Sequence, residues 1–230
     1  MKKFRWIYYV FVVLCLGTTL CGFEKKDLSV VEKETISKKS DFYDIYMDIP
    51  KIKGLKNLDF QNQINDKTKK ESSDFASQVQ KEAEDYGKSL AGTKFIVKQD
   101  FNTTYNGKEL LSIPISRYYF AGGAHGVTTL KTLNIDKNTG RELILKDLFK
   151  ENFDFKGVIN KEISTQIEKN KGEYFPEDFK GINDNTEFFL TNDGVTVYYQ
   201  LYEIAPYVKG IPKFEIKYDL LKEGMNYKLP

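Results

Sequence analysis

Tyr105-Asn106-Gly107-Lys108-Glu109-Leu110-Leu111-Ser112-Ile113-Pro114-Ile115 sets an Asn-Gly pair ahead of apolar residues at 111, 113 and 115. Asn-Gly tolerates the positive φ values of a tight hairpin turn, so this stretch reads as two antiparallel strands. Phe95, Val97, Phe101 and Tyr105 precede it at odd positions, one face of a strand. Further upstream Tyr43, Ile45, Met47 and Ile49 alternate with other residues, and Pro50 is expected to end that strand. Between these strands Phe60, Ile64, Phe75, Val79, Ala83 and Tyr86 recur at helical spacing. They predict a long amphipathic helix stopped at Gly87. The first unit is strand, helix, hairpin.

A second unit follows Gly122-Gly123-Ala124-His125-Gly126. Val127 to Ile135 reads as a strand, Asp136 to Gly140 as a turn and Arg141 to Leu145 as the return strand. Leu148 and Phe149 suggest one helical turn, and Phe155, Ile159, Ile163 and Ile167 mark a helix. Asn192-Asp193-Gly194 sits between Phe188-Leu190 and Val195-Tyr199, a second hairpin, and Phe214, Ile216 and Tyr218 make the last strand. The expected class is α+β, with two small subdomains, each an antiparallel sheet with a helix packed on one face. The expected bounds are 41–127 and 128–222, after an export or anchor segment over 1–22 and a Lys/Glu/Ser-rich tether over 23–40.

The 230 residues are 40% hydrophobic and 30% charged, enough for one or two domains with a real core. Lys2, Lys3 and Arg5 take three of the 35 basic residues, leaving 32 against 33 acidic ones, a body of net charge −1. That body lacks the basic footprint of a nucleic-acid binder. Cys15 and Cys21 lie in the N-terminal segment and His125 is the single histidine, so the rest of the chain has no soft metal ligand. No cofactor and no metal are implied.

Met1 to Arg5 is positive, and Trp6 to Phe23 carries no charge. The pattern is that of an export signal or a membrane anchor with its basic end in the cytoplasm. Leu16-Gly17-Thr18-Thr19-Leu20-Cys21-Gly22 resembles a bacterial lipoprotein box with Cys21 as the lipidated residue, although Leu20 stands where that pattern has a small residue. Lipid anchor and uncleaved anchor stay open side by side, with free secretion as a third option.

Two places could carry function. His125, unique and flanked by glycines, could contact a ligand or act as a base, while the plainer reading is a tight turn. The turn lacks the length and the Lys-Ser/Thr pair of a phosphate-binding loop. In Tyr202-Glu203-Ile204-Ala205-Pro206-Tyr207, tyrosines on a loop stiffened by Pro206 offer a recognition patch at low entropy cost. Glu203 among apolar neighbours is the setting a glycosidase general acid requires.

Tyr119-Phe120-Ala121-Gly122-Gly123-Ala124-His125-Gly126 resembles the glycine-histidine signature of a paired bacterial extracytoplasmic module. Leu143 to Phe149, Phe188 to Gly194 and Tyr202 to Tyr207 are similar to its later segments in order, and Ile49 to Leu55 with Gln63-Ile64-Asn65 to its first half. The resemblance covers roughly Asp41 to Lys222. The module occurs in the lysozyme-sensing anti-sigma-V factor, ahead of the catalytic domain of a peptidoglycan deacetylase, and in stand-alone lipoproteins and secreted proteins. It implies an envelope-tethered binding protein without catalytic activity, whose ligand is a lysozyme-type protein or a peptidoglycan fragment. Only Met1 to Arg5 precede the membrane segment, so no sigma-factor partner is expected. The implied contact residues are Tyr202, Glu203, Pro206, Tyr207 and His125. The alternative is a cell-wall carbohydrate-active enzyme that uses carboxylates such as Glu203.

Overall fold

The computed structural model describes residues 29–86 and 92–230. The expected export segment, Cys21 and Gly87 lie outside those residues. Among the described residues the fold is mixed α+β, with a large sheet, a smaller three-stranded sheet and three helices.

The chain enters on β1 (Val30–Lys39), turns into β2 (Tyr43–Lys53), crosses through α1 (Leu58–Tyr86) and returns on β3 (Phe95–Phe101). Then come β4 (Tyr105–Asn106), β5 (Leu110–Phe120), β6 (Val127–Asp136) and β7 (Arg141–Glu142). The large sheet runs β1-β2-β3-β5-β6-β7, with β4 paired to β5. It is not wholly antiparallel, because β2 and β3 pair in parallel across the helical crossover, from Tyr43↔Phe95 to Met47↔Gln99. Ile64, Ala76, Val79 and Ala83 turn one stripe of α1 toward the sheet, over Ile45, Met47, Val97, Ile113 and Leu133.

Three expectations change. Val30–Lys39, expected as tether, is an edge strand paired with β2 over its full length. Pro50 does not end β2, which continues to Lys53. The β3 pairing stops at Met47, so the N–H that Pro50 lacks removes no ladder bond on that side. The division expected at 127/128 passes through β6, which pairs with β5 from Tyr119↔Val127 to Leu110↔Asp136 and stays in the large sheet.

β1 is held by cross-strand charge pairs. Lys51 Nζ lies 2.6 Å from Glu34, Lys69 of α1 2.9 Å from the same carboxylate, and Lys33 3.0 Å from Asp48. Bonding to Lys51 and then Lys69 outweighs the opposing desolvation and lowers the Glu34 carboxyl to about 2. A depressed carboxylate contributes stability that is present above its ordinary value of 4.5 and lost as pH falls through about 2. Protection factors of β1 amides against hydrogen exchange are therefore expected to hold down to pH 4.5 and decline toward pH 2, ahead of those in β5. Equal loss in both strands would sink this assignment.

The second layer holds a 3-10 turn at Leu145–Leu148, then α2 (Phe155–Lys169), β8 (Phe188–Leu190), β9 (Gly194–Tyr198), β10 (Lys213–Lys217) and α3 (Tyr218–Leu221). Its sheet is β10-β9-β8, all antiparallel. Asp154 starts α2 by accepting the Gly157 N–H at 2.9 Å, and Ile159, Ile163 and Ile167 bury against Val195, Val197, Phe214 and Ile216.

A buried polar chain ties the two sheets together. Ser112 Oγ of β5 donates to Asn134 Oδ1 of β6 at 2.6 Å and accepts the Leu190 N–H at 3.0 Å. Asn134 Nδ2 donates to the Phe188 carbonyl at 2.8 Å. The end strand β8 is thereby fastened to the face of β5 and β6.

Candidate functional site

The β5–β6 hairpin closes through Gly122 and Gly123, both at φ 94, a left-handed conformation that suits glycine. This places His125 exposed at the hairpin tip and Gly126 buried beneath it. The His125 ring stacks on Tyr207, with centroids 4.1 Å apart and planes at 24°. Tyr207 Oη donates to the Gly126 carbonyl at 2.9 Å. His125 Nδ1 is 3.1 Å from that same carbonyl. A carbonyl can only accept, so Nδ1 carries a proton there, and neutral His125 leaves Nε2 as an acceptor facing Tyr202 Oη at 3.4 Å. Tyr202 and Tyr207 are themselves 5.7 Å apart, centroid to centroid. The two places that sequence keeps apart by more than seventy residues thus form one aromatic patch.

Both tyrosines ride on the connection between β9 and β10, residues 199–212. Its shape is fixed from below. Ile204 and Ala205 are buried, and the Ile204 carbonyl accepts the Phe175 N–H at 2.8 Å. The Gln200 amide joins the backbone of β6, accepting from Leu130 N at 3.0 Å and donating to Leu130 O at 2.7 Å. Pro206, at φ −67, caps the 3-10 turn Tyr207–Lys209. Tyr202 is the one non-glycine residue at positive φ (68) among the described residues, and 55% of its surface is exposed. Val208, next in sequence to Tyr207, is 91% exposed. A tyrosine in the left-handed region costs about 1 kcal/mol, and such strain collects at binding and catalytic sites.

Glu203 corrects one expectation. It is exposed rather than set among apolar side chains, and its Oε2 accepts the Gln200 N–H at 2.6 Å, a cap that holds the loop. Glu187 reaches the same glutamine, 3.0 Å from its Nε2. Both carboxylates border a cleft of ≈ 580 Å³ with Asn183, Asn185 and Tyr199. Burial pushes the Tyr199 hydroxyl up to about 12, with the Glu203 charge adding to it, and among the described residues that hydroxyl has no hydrogen-bond partner. On the other side of the loop a groove of ≈ 660 Å³ is bordered by Ser116, Thr128, Leu130, Leu201, Tyr207 and Val208. Among the described residues no three His, Cys, Asp or Glu side chains come together as a metal site. Sequence reasoning missed Gln200, the residue that docks the loop on the large sheet; the only sign was a polar side chain directly after a buried strand.

The architecture and this patch define a two-part α+β module whose halves meet at a surface of three rings. Domain models match the chain in the same order: the one described as Deacetylase PdaC over residues 36–128, and the one described as Protein of unknown function (DUF3298) over residues 146–219. The chain thus carries a segment similar to each model, in that order, and it is homologous to two proteins of Bacillus subtilis (strain 168). It is 25% identical to the peptidoglycan-N-acetylmuramic acid deacetylase PdaC over 242 aligned residues, 96% of this chain and 50% of that protein. It is 30% identical to the anti-sigma-V factor RsiV over 193 aligned residues, 79% of this chain and 65% of that protein. The chain thus spans half to just under two thirds of these curated relatives. Crystal structures of DUF3298 family proteins share the fold. One from Bacteroides fragilis has a TM-score of 0.65 at 17% identity, covering 88% of this chain and 96% of that one. One from Pseudomonas aeruginosa has a TM-score of 0.55 at 18% identity, covering 86% and 94%. The helices of the described residues are all too short or too polar to cross a membrane.

Proposed function

We propose that this chain is an envelope-tethered extracytoplasmic binding protein without catalytic activity, which captures a lysozyme-type muramidase through the aromatic patch. The observation that carries this reading is the stack of His125 on Tyr207 beside strained, exposed Tyr202. His125 comes from the segment matched by the PdaC model and both tyrosines from the segment matched by the DUF3298 model, so the surface exists only in the pair. A wall-modifying enzyme and an anti-sigma factor share the pair while their names give them different outputs, which favours recognition as the common part. The N-terminal segment supplies the tether, through a lipid on Cys21 or as an uncleaved anchor. Peptidoglycan fragments are the competing ligand. The enzymatic reading is weakened by the exposure of Glu203 and its service as a backbone cap.

Tyr202→Gly separates recognition from folding. Glycine relieves about 1 kcal/mol of strain at the positive φ, which offsets the added freedom glycine gives the unfolded chain, so the variant is expected to melt within a few degrees of the parent. Loss of the ring is expected to weaken capture of a lysozyme by about tenfold or more, as removal of an interface tyrosine does. Tyr207→Ala is a different case, because its ring is half-buried and its hydroxyl holds the Gly126 carbonyl; it is expected to lose both binding and stability. The measurement is surface-captured binding of lysozyme alongside thermal melting. A Tyr202→Gly chain that binds like the parent would overturn the assignment, as would turnover of muropeptides that Glu203→Gln abolishes.

A further inference from the structure

Successive residues of β5 point to opposite faces, so Ser116 borders the groove beside the aromatic patch while Arg117 faces the other way, under α1. Arg117 shares that face with Ile113, which packs in the core, and with Tyr119, whose hydroxyl donates to Glu82 of α1 at 3.1 Å. A cation therefore occupies a core row. Its Nε and Nη2 both donate to Oε1 of Gln99, its register partner on β3, at 3.0 and 2.8 Å. Its guanidinium carbon lies 4.4 Å from the Phe75 ring centre. Gln99 is fixed in turn, donating to Ser72 Oγ of α1 at 3.1 Å and to the Asp48 carbonyl at 3.0 Å. This polar layer divides the apolar packing beneath α1 into two clusters, Met47, Val79 and Val97 on one side and Ile52, Ile64 and Ile113 on the other.

As packing alone, the layer is a poor choice. Arg117 is partly buried, and holding its charge against a neutral amide incurs desolvation that no carboxylate offsets. Burial depresses the Arg117 guanidinium, with the charge of Glu71 opposing that shift. Yet no carboxylate comes within ion-pair distance of Arg117 among the described residues. Glu71 is held by Lys131 at 2.6 Å, and those two charges offset each other. Among the described residues Nη1 of Arg117 has no hydrogen-bond partner. Directly on this layer opens a recess of ≈ 150 Å³, lined by Arg117, Thr68, Glu71, Ser72, Thr129 and Lys131. Thr129 lies opposite Arg117 in the β5–β6 register.

We infer that this recess is a binding site for a small carboxylate, which takes the free Nη1/Nη2 edge of Arg117. That edge presents two parallel N–H groups, the spacing of the two carboxylate oxygens, and a charge-assisted pair of this kind is among the strong hydrogen bonds. The recess is well below the ~300–1,000 Å³ of an ordinary small-molecule pocket, which excludes a sugar chain and suits one acid group. The carboxylate comes from a free organic acid or from the C-terminus of a peptide. Both satisfy the same chemistry. The site uses neither tyrosine of the aromatic patch, so it stands or falls separately from the proposed function.

The test titrates the full chain, in detergent micelles, with acetate, alanyl-alanine, alanyl-alaninamide and inorganic phosphate, following the Arg117 Nε–H resonance. A saturable millimolar response to acetate and dipeptide supports the site with a free acid as sufficient ligand. A response to the dipeptide alone supports it with a peptide terminus as the source. Arg117→Met leaves the buried Gln99 Oε1 without its two guanidinium donors, so it is expected to melt below the parent and, by calorimetry, to bind the responding carboxylate at least about tenfold more weakly. Where that variant does not fold, Arg117→Lys, which keeps the charge and loses the fork, must show the same loss. No saturable response to either carboxylate, an equal response to the amide, tighter binding of phosphate, or an unchanged affinity in both variants overturns the inference.

Discussion

Gly194→Ala is expected to destabilise the smaller sheet by roughly 3 kcal/mol and to lower Tm on the order of 10 °C. A Cβ at this position would sit 2.3 Å from the Ile216 carbonyl oxygen and 2.9 Å from its carbon, both backbone atoms of β10. Neither can swing aside as a side chain would. β9 and β10 pair through Lys217↔Gly194, and the Tyr218 N–H bonds to the Asp193 carbonyl just beyond, so relief would require β10 to move away from the core that Phe214 and Ile216 anchor. Gly126→Ala is the contrasting case, since its Cβ would meet the end of the Tyr118 side chain, which can rotate. A Gly194→Ala chain that melts within a couple of degrees of the parent would show that β10 has slack.

Asn134→Ala is expected to cost roughly 2–4 kcal/mol, because it leaves the Phe188 carbonyl without a donor and the Ser112 hydroxyl without its acceptor in a buried site. Each of those groups was removed from water on the strength of its partner. The loss should also loosen one sheet from the other, with hydrogen exchange rising in β8 and β9 more than in β2. Ser112→Ala strands a different pair, the Leu190 N–H and Asn134 Oδ1, so the double variant should cost less than the two single ones added together. Strict additivity would mean that the four groups do not act as a unit.

Much of this fold can be read from residue patterns because its elements are local. Phe60 to Tyr86 keeps helical spacing over the whole of α1, and Asn192-Asp193-Gly194 marks the turn between β8 and β9. β1 is hidden for a physical reason. In Val30–Lys39 the partly buried positions include Glu34 and Lys38 beside Val31 and Ile36, and the exposed ones are mostly Lys, Glu, Ser and Thr, a composition that also describes a tether. Charges on an edge strand discourage pairing with other chains, and here they also clasp β2, so the features that blur the strand in sequence are those that hold it. The parallel step from β2 to β3 is hidden too, since strand direction follows from the crossover and not from either strand. For the site, Tyr202, Tyr207 and His125 are each visible as exposed-looking aromatic residues in loops, while their meeting depends on Gln200 and Leu130, a contact across 70 residues. Arg117 reads as an ordinary polar position until its register with Gln99 places it under α1.

The parallel β2–β3 pairing also sets an order in time. Tyr43 cannot find Phe95 until the whole crossover between them, α1 included, has been drawn together, and closing such long loops slows folding more than forming hairpins does. β8 and β9 need only a short turn between them. The smaller sheet can therefore assemble while the larger one is still open, presenting Tyr202 and Tyr207 with no His125 to stack on. The complete patch appears only when β5 and β6 have closed on Gly122-Gly123 and the loop has docked on Leu130. A partner that requires all three rings would pass over incompletely folded chains.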